Sequence, residues 1–176
     1  MKVTLLSTLV ASGLALAALS GVAKAEGRLV VYCSATNEMC ESETQAFGEK
    51  YNVKTSFIRN GSGSTLAKVD AEKKNPQADV WYGGTLDPQS QAGEMGLLQP
   101  YKSPNLEQIM EKFRDPAKVK GNLSSAVYVG ILGFGVNTQR LKEKNLPIPK
   151  CWKDLTKPEY KSEIQIADPQ SSGTAY

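Results

Sequence analysis

Short β-type runs recur at roughly 25-residue intervals through the first part of the chain, each with a helical pattern behind it, and this alternation restricts the fold to one class. The first run is Leu29-Val30-Val31-Tyr32, the second covers residues 53–58 and the third is Ala78-Asp79-Val80-Trp81-Tyr82. Behind the first, Met39, Ala46, Phe47 and Tyr51 share one side of a helical pattern that Thr36 or Asn37 can cap, with Glu38, Glu41 and Glu43 suiting the dipole of its first turns. Helical patterns follow the other two runs over residues 66–74, stopped by Asn75-Pro76, and 86–95, where Pro88 is tolerable only in the first turn. Strands alternating with helices in this way predict an α/β unit with a parallel βαβ sheet and right-handed crossovers.

Each predicted strand ends in a small loop rich in hydroxyls. Ser34 and Thr36 follow the first, Asn60-Gly61-Ser62-Gly63-Ser64-Thr65 the second and Gly83-Gly84-Thr85 the third. In such sheets ligands bind beyond the carboxyl ends of the strands, so the three loops are expected on one rim. Glycine lets the backbone come close to a ligand, and a helix N-terminus offers unpaired N–H groups and partial positive charge to an anion. The second loop is neither a nucleotide P-loop, lacking Gly-Lys-Ser/Thr, nor the dinucleotide fingerprint, since Leu66 stands where a small residue is needed. Taken alone, each loop could be an ordinary turn and cap. The repetition favours a site, and it extends to Ser171-Ser172-Gly173-Thr174 behind a predicted strand at residues 164–167. The candidate ligand-binding residues are Ser34, Thr36, Ser62, Gly63, Ser64, Thr65, Thr85, Ser172, Gly173 and Thr174, all neutral donors. Arg59 could add charge beside them, or simply face solvent.

Residues 1–25 read as a secretory signal peptide: Lys2, an uncharged apolar run over 3–19, and a small-x-small cleavage site at Ala23-Lys24-Ala25. No cysteine at that site suggests a lipid anchor, so a soluble exported protein is expected. Without the two leader lysines the formal charge of +3 falls to about +1, with cations scattered among acids, unlike a nucleic-acid-binding stripe. Export permits disulfides, and Cys33 and Cys40 could close across a strand-to-helix turn, leaving Cys151 without a partner in this chain. The chain contains no histidine, which excludes a histidine-type metal site within it. No cofactor is expected.

Further along, Leu106, Ile109, Met110 and Phe113 at i, i+3, i+4 and i+7 predict an amphipathic helix starting near Ser103-Pro104. Residues 126–137 predict a long strand apolar on both faces, a candidate for crossing between lobes. A short helix is expected over 138–144, a stiff connection through Pro147 and Pro149, and a small packed turn-and-helix over 151–161. The chain stops where Ser171 to Tyr176 opens another helix, so it is expected to be part of a longer protein.

The start Gly27-Arg28-Leu29-Val30-Val31-Tyr32, the segment Ala78 to Gly84, the hinge-like Gly133-Phe134-Gly135-Val136-Asn137, the run Trp152-x-Asp154-Leu155-x-x-Pro158-x-Tyr160-Lys161, and Asp168-Pro169 with Ser171-Ser172-Gly173-Thr174 carry a resemblance. Together they resemble the periplasmic substrate-binding proteins of ABC importers, in the ferric-binding-protein-like group and most closely its Afu-type members. The resemblance covers nearly all of the chain after the leader. It implies a type II-like two-lobe periplasmic-binding-protein fold, with an N-terminal α/β lobe over 26–131 and, over 132–176, the hinge crossing and the start of a second, incomplete lobe. It also implies a monomer in the periplasm that closes over a small ligand and hands it to a permease in the inner membrane.

Two ligands compete within that family. Iron-binding members place a histidine and an acid after the first strand and a tyrosine pair further along, whereas Ser34-Ala35-Thr36-Asn37 stands here in place of the histidine loop. Afu-type members are associated with phosphorylated sugars, which suit hydroxyls and helix starts. Hard Fe(III) prefers phenolate and carboxylate oxygens, so the visible loops favour a phosphate ester or phosphonate, with ferric iron as the alternative. A secreted hydrolase would need a nucleophile with its base, or a metal. No paired acid motif stands out, and Asp79, Asp87 and Asp168 each have a turn or capping explanation. A purely structural protein would leave four like loops unexplained.

Overall fold

In a computed structural model, residues 27–114 and 122–175 are described. The leader, residues 115–121 just past the helix expected from Ser103-Pro104, and Tyr176 lie outside them. The strands β1 (Arg28–Cys33), β2 (Lys54–Arg59) and β3 (Val80–Tyr82) form a parallel sheet in the order β2-β1-β3. They alternate with the helices α1 (Asn37–Tyr51), α2 (Ser62–Ala71) and α3 (Leu86–Glu94). A fourth helix, α4, covers Thr138–Glu143.

Being central, β1 is covered on both faces, and Val31, Tyr32 and Cys33 are each at most 4% exposed. Side chains alternate along a strand, so the two faces receive different partners. Val31 and Cys33 pack with Ala35, Cys40, Met39, Phe57 and Tyr82 on the α1 side. There Cys33 and Cys40 form a disulfide, with Cα atoms 5.9 Å apart. On the opposite face the Tyr32 hydroxyl donates to Glu72 Oε2 at 2.6 Å, at the end of α2. Burial holds Tyr32 protonated to higher pH than usual, and the Glu72 hydrogen bond adds to this. Lys68 bonds the same carboxylate at 2.7 Å and lies over the Tyr32 ring. β3 is shorter than its apolar run suggests, because Asp79 joins the sheet partly through its side chain. Its Oδ2 accepts the Val30 N–H at 2.8 Å while its own N–H donates to Val30 O at 2.9 Å.

α1 begins and ends as its residues dictate. Thr36 Oγ1 accepts the Met39 N–H, and Asn52 in the left-handed region returns its N–H to Gly48 O. α2 starts four residues earlier than its apolar pattern predicts. Extended Gly61 is the N-cap, its carbonyl accepting both the Thr65 N–H at 2.9 Å and the Thr65 hydroxyl at 3.0 Å. Most of the expected glycine-serine loop is therefore the first turn of a helix. Pro88 falls in the first turn of α3.

Three expectations need correction. The helix expected over 103–113 is instead two 3-10 turns, Leu106–Gln108 and Glu111–Phe113, with Met110 exposed. The segment is short for a helix that must stand alone, and Leu106, Ile109 and Phe113 are half-buried from the 3-10 turns instead. Residues 126–137 run extended, but no strand pairs with them among the described residues. Val127, Val129 and Leu132 are exposed, and Ile131 is 99% so. The apolar strand at 164–167 is likewise unpaired, with Ile164 and Ile166 exposed. A strand is buried on both faces only inside a sheet, and the described residues supply no flanking strand.

The turn-and-helix over 151–161 does form, as Trp152–Thr156 and Pro158–Tyr160. Phe134 meets Trp152 edge-on, and buried Tyr160 donates to Pro147 O. Asp154 organises this turn. It pairs with Lys157 at 2.7 Å and accepts the N–H groups of Lys150 and Cys151. Led by Lys157, these donors lower its pKa from 3.8 to about 2. A depressed carboxylate stabilises the fold fully above its unfolded value, and the contribution fades as pH falls through the folded one. The Asp154 carboxyl carbon, followed by NMR, is therefore expected to titrate near pH 2. A midpoint near 4 would mean that the turn is open.

Candidate functional site

The parallel sheet sends β1, β2 and β3 to the same edge, and their loops meet there. Ser34, directly after β1, lies 3.0 Å from Thr65 through the two hydroxyl oxygens. The Trp81 indole N–H of β3 also reaches Ser34 Oγ, at 3.0 Å. Ser62, at the start of α2, is buried, and its Oγ accepts the Thr85 N–H at 3.2 Å. Thr65 is completely buried.

Between them runs the turn Gly83-Gly84. Both residues have positive φ, +75° and +88°, a conformation that glycine adopts without strain. A Cβ on Gly84 would run into Ser62 Oγ and come within 2.8 Å of Ser34 Cβ. Each end of the turn is held. Gly83 O accepts from Gln89 Nε2 at 2.8 Å, and the Gly84 N–H donates to the Tyr128 hydroxyl at 2.8 Å.

The fourth loop arrives from the far end of the chain. Asp168 shapes it: its carbonyl accepts the N–H groups of Ser171 and Ser172, and its Oδ1 that of Gln170. The backbone of this turn lies against the start of α2. A Cβ on Gly61 would strike the Ser171 carbonyl, and one on Gly63 the Gln170 carbonyl. One on Gly173 would strike Thr85 Oγ1 and approach Ser62 Oγ to 2.7 Å. The Thr85 hydroxyl oxygen is buried there without a hydrogen-bond partner among the described residues.

The structure thus brings together Ser34, Ser62, Gly63, Thr65, Thr85 and Gly173. Ser64 is half-buried in the first turn of α2, and Ser172 is half-buried in the fourth loop. Thr36 and Thr174 are exposed, and the Thr36 hydroxyl is spent on the cap of α1. Arg59 donates to Ala35 O and so holds the first loop. Tyr128, Gln89 and the Trp81 N–H are members that the sequence reading missed. A lone phenol inside the apolar run 126–137 was the available signal for Tyr128. An open groove of about 540 Å³ between α1 and β2 lies elsewhere, and its lining carboxylates Glu41 and Glu49 do not suit an anion.

Chemically, the rim is a set of neutral O–H and N–H donors at the positive end of a helix, with Thr85 Oγ1 short of a partner. Such a set grips an oxyanion by oriented dipoles. Among the described residues no cluster of three or more His, Cys, Asp or Glu side chains could hold a metal ion, and no helix is long and apolar enough to cross a membrane.

Residues 75–176 match the family described as bacterial extracellular solute-binding protein, and the chain belongs to that family. Its fold is the α/β fold of periplasmic binding proteins. AfuA from Actinobacillus pleuropneumoniae, solved with exogenous fructose-6-phosphate bound, is 74% identical with a TM-score of 0.78, over 84% of this chain and 47% of that one. The periplasmic binding protein P5PA is 48% identical with a TM-score of 0.77, over the same shares. A Haemophilus influenzae (strain Rd) protein, named only as uncharacterized, is 67% identical over 171 residues, 97% of this chain and 49% of its own length. The chain thus spans about half the length of these relatives.

Proposed function

We propose that the protein captures a small phosphate monoester, a hexose phosphate such as fructose 6-phosphate, at this rim and delivers it to the permease of an ABC importer. The carrying observation is the convergence of four loops on one patch of neutral donors, with the Thr85 hydroxyl buried and unpartnered inside it. Similarity to a protein solved with fructose-6-phosphate supports the same class. The role is capture without turnover, by a monomer in the periplasm, with residues 26–131 and 132–176 contributing from two lobes. Ferric iron is the competing cargo.

Calorimetric titration of the full-length exported protein tests this, with fructose 6-phosphate in one arm and ferric citrate in the other. A saturating one-to-one heat with the sugar phosphate is expected. In Thr85→Val the hydroxyl is lost at nearly constant shape. A hydrogen bond to a charged group contributes about 1.5–3 kcal/mol, so affinity should fall roughly 10- to 100-fold. The melting temperature of the free variant should not drop, since no internal hydrogen bond of that hydroxyl is lost. Heat with iron alone would overturn the phosphate reading.

A further inference from the structure

We infer that Tyr128 is a ligand-facing member of the phosphate site, accepting the Gly84 N–H and giving its own proton to a phosphoryl oxygen. The inference rests on the phosphate-capture reading and adds a residue to it. Three observations carry it.

First, the Tyr128 hydroxyl stands at the rim itself. It accepts from Gly84 N at 2.8 Å, and a Cβ built on Gly83 would lie 3.2 Å from it and 3.0 Å from Ala35 Cβ. It therefore sits where the first and third loops meet, beside the position at which Gly84 faces Ser62 and Ser34.

Second, only half of its hydrogen-bonding capacity is used. A phenol carries one donor and accepts through oxygen lone pairs. The Gly84 N–H takes a lone pair, and among the described residues no acceptor takes the proton. An acceptor brought by a ligand completes the set. The phosphate monoester is well matched, having three terminal oxygens that all accept when it is a dianion.

Third, the bond is placed to strengthen the donor. A hydroxyl that accepts from an amide is polarised and donates better, so the chain from Gly84 N–H through Tyr128 O–H to phosphate is cooperative. Tyr128 further differs from its neighbours in the extended segment. Val127 and Val129 are 62% and 63% exposed, Tyr128 41%, and its hydroxyl is what ties that segment to the rim.

The test replaces Tyr128 in the full-length protein by phenylalanine and, separately, by 3-fluorotyrosine, and titrates each with fructose 6-phosphate. Fluorination makes the hydroxyl a better donor and a poorer acceptor. A ligand donor therefore predicts affinity about tenfold weaker in Tyr128→Phe and about twofold tighter with 3-fluorotyrosine. A group that merely tethers the Gly83-Gly84 turn predicts weaker binding with both, and that result would overturn the inference. So would unchanged affinity in both variants beside a normal wild-type titration. No heat from the wild type would overturn the capture reading, and this inference with it.

Discussion

Alanine at Gly63 is expected to weaken the capture of fructose 6-phosphate roughly five- to a hundredfold, with little loss of stability in the ligand-free protein. Gly63 is the second residue of α2, and its missing side chain is what lets the Gln170 carbonyl lie against the helix. The new methyl group would meet backbone, not the movable end of a side chain. The 168–173 turn would have to withdraw, taking Ser172 and Gly173 with it. Displacements of this kind cost about 1–3 kcal/mol, or roughly five- to a hundredfold in affinity. The local effect on the helix has the opposite sign, because alanine favours helix over glycine by up to about 1 kcal/mol. Weaker binding with an unchanged or raised melting temperature therefore isolates the contact between the turn and α2. Equal affinity for the variant and the wild type would mean that the two do not meet in the working protein.

Removing the Cys33–Cys40 disulfide, by Cys33→Ala with Cys40→Ala, is expected to cost about 2–3 kcal/mol, read as a lower urea midpoint. The bond joins the last residue of β1 to the first turn of α1, at a sequence separation of seven. Closing a loop of that length removes about this much free energy from the unfolded state's advantage in chain entropy. Both cysteines are also completely buried in the cluster with Val31 and Ala35, so the cost should not fall below that range. Ser34 lies inside the closed loop, and fructose 6-phosphate should bind more weakly as that loop loosens. Treating the wild type with a reductant should reproduce both effects. An unchanged midpoint in the double variant would show that packing around α1 holds the loop without the bond.

The repeating β-α part was legible because its signals are local. Alternation, the cap at Thr36 and the placement of Pro88 can all be read within one turn or strand. The start of α2 was harder. Ser62, Gly63 and Ser64 are poor helix formers, and only the two bonds to the Gly61 carbonyl reveal that they are helical. Leu106, Ile109, Met110 and Phe113 had the right spacing for a helix, but spacing does not state whether a surface waits to receive it. The same holds for the apolar runs at 126–137 and 164–167, whose pattern describes a buried strand without saying what lies beside it. At the rim, which hydroxyls would be present was readable, and which would meet was not. Thr36 and Thr85 follow similar strands, yet one caps a helix in solvent and the other has its hydroxyl oxygen buried facing Gly173.

The bond from the Trp81 indole to Ser34 gives the molecule an optical property. Of its two tryptophans, Trp152 stands 53% exposed beside Phe134, while Trp81 is half-buried and touches the candidate rim through its polar edge. Indole emission responds to the hydrogen bond at that nitrogen. Binding at the rim, as proposed, is therefore expected to change the ultraviolet fluorescence of the unlabelled protein, against a second emitter that faces solvent.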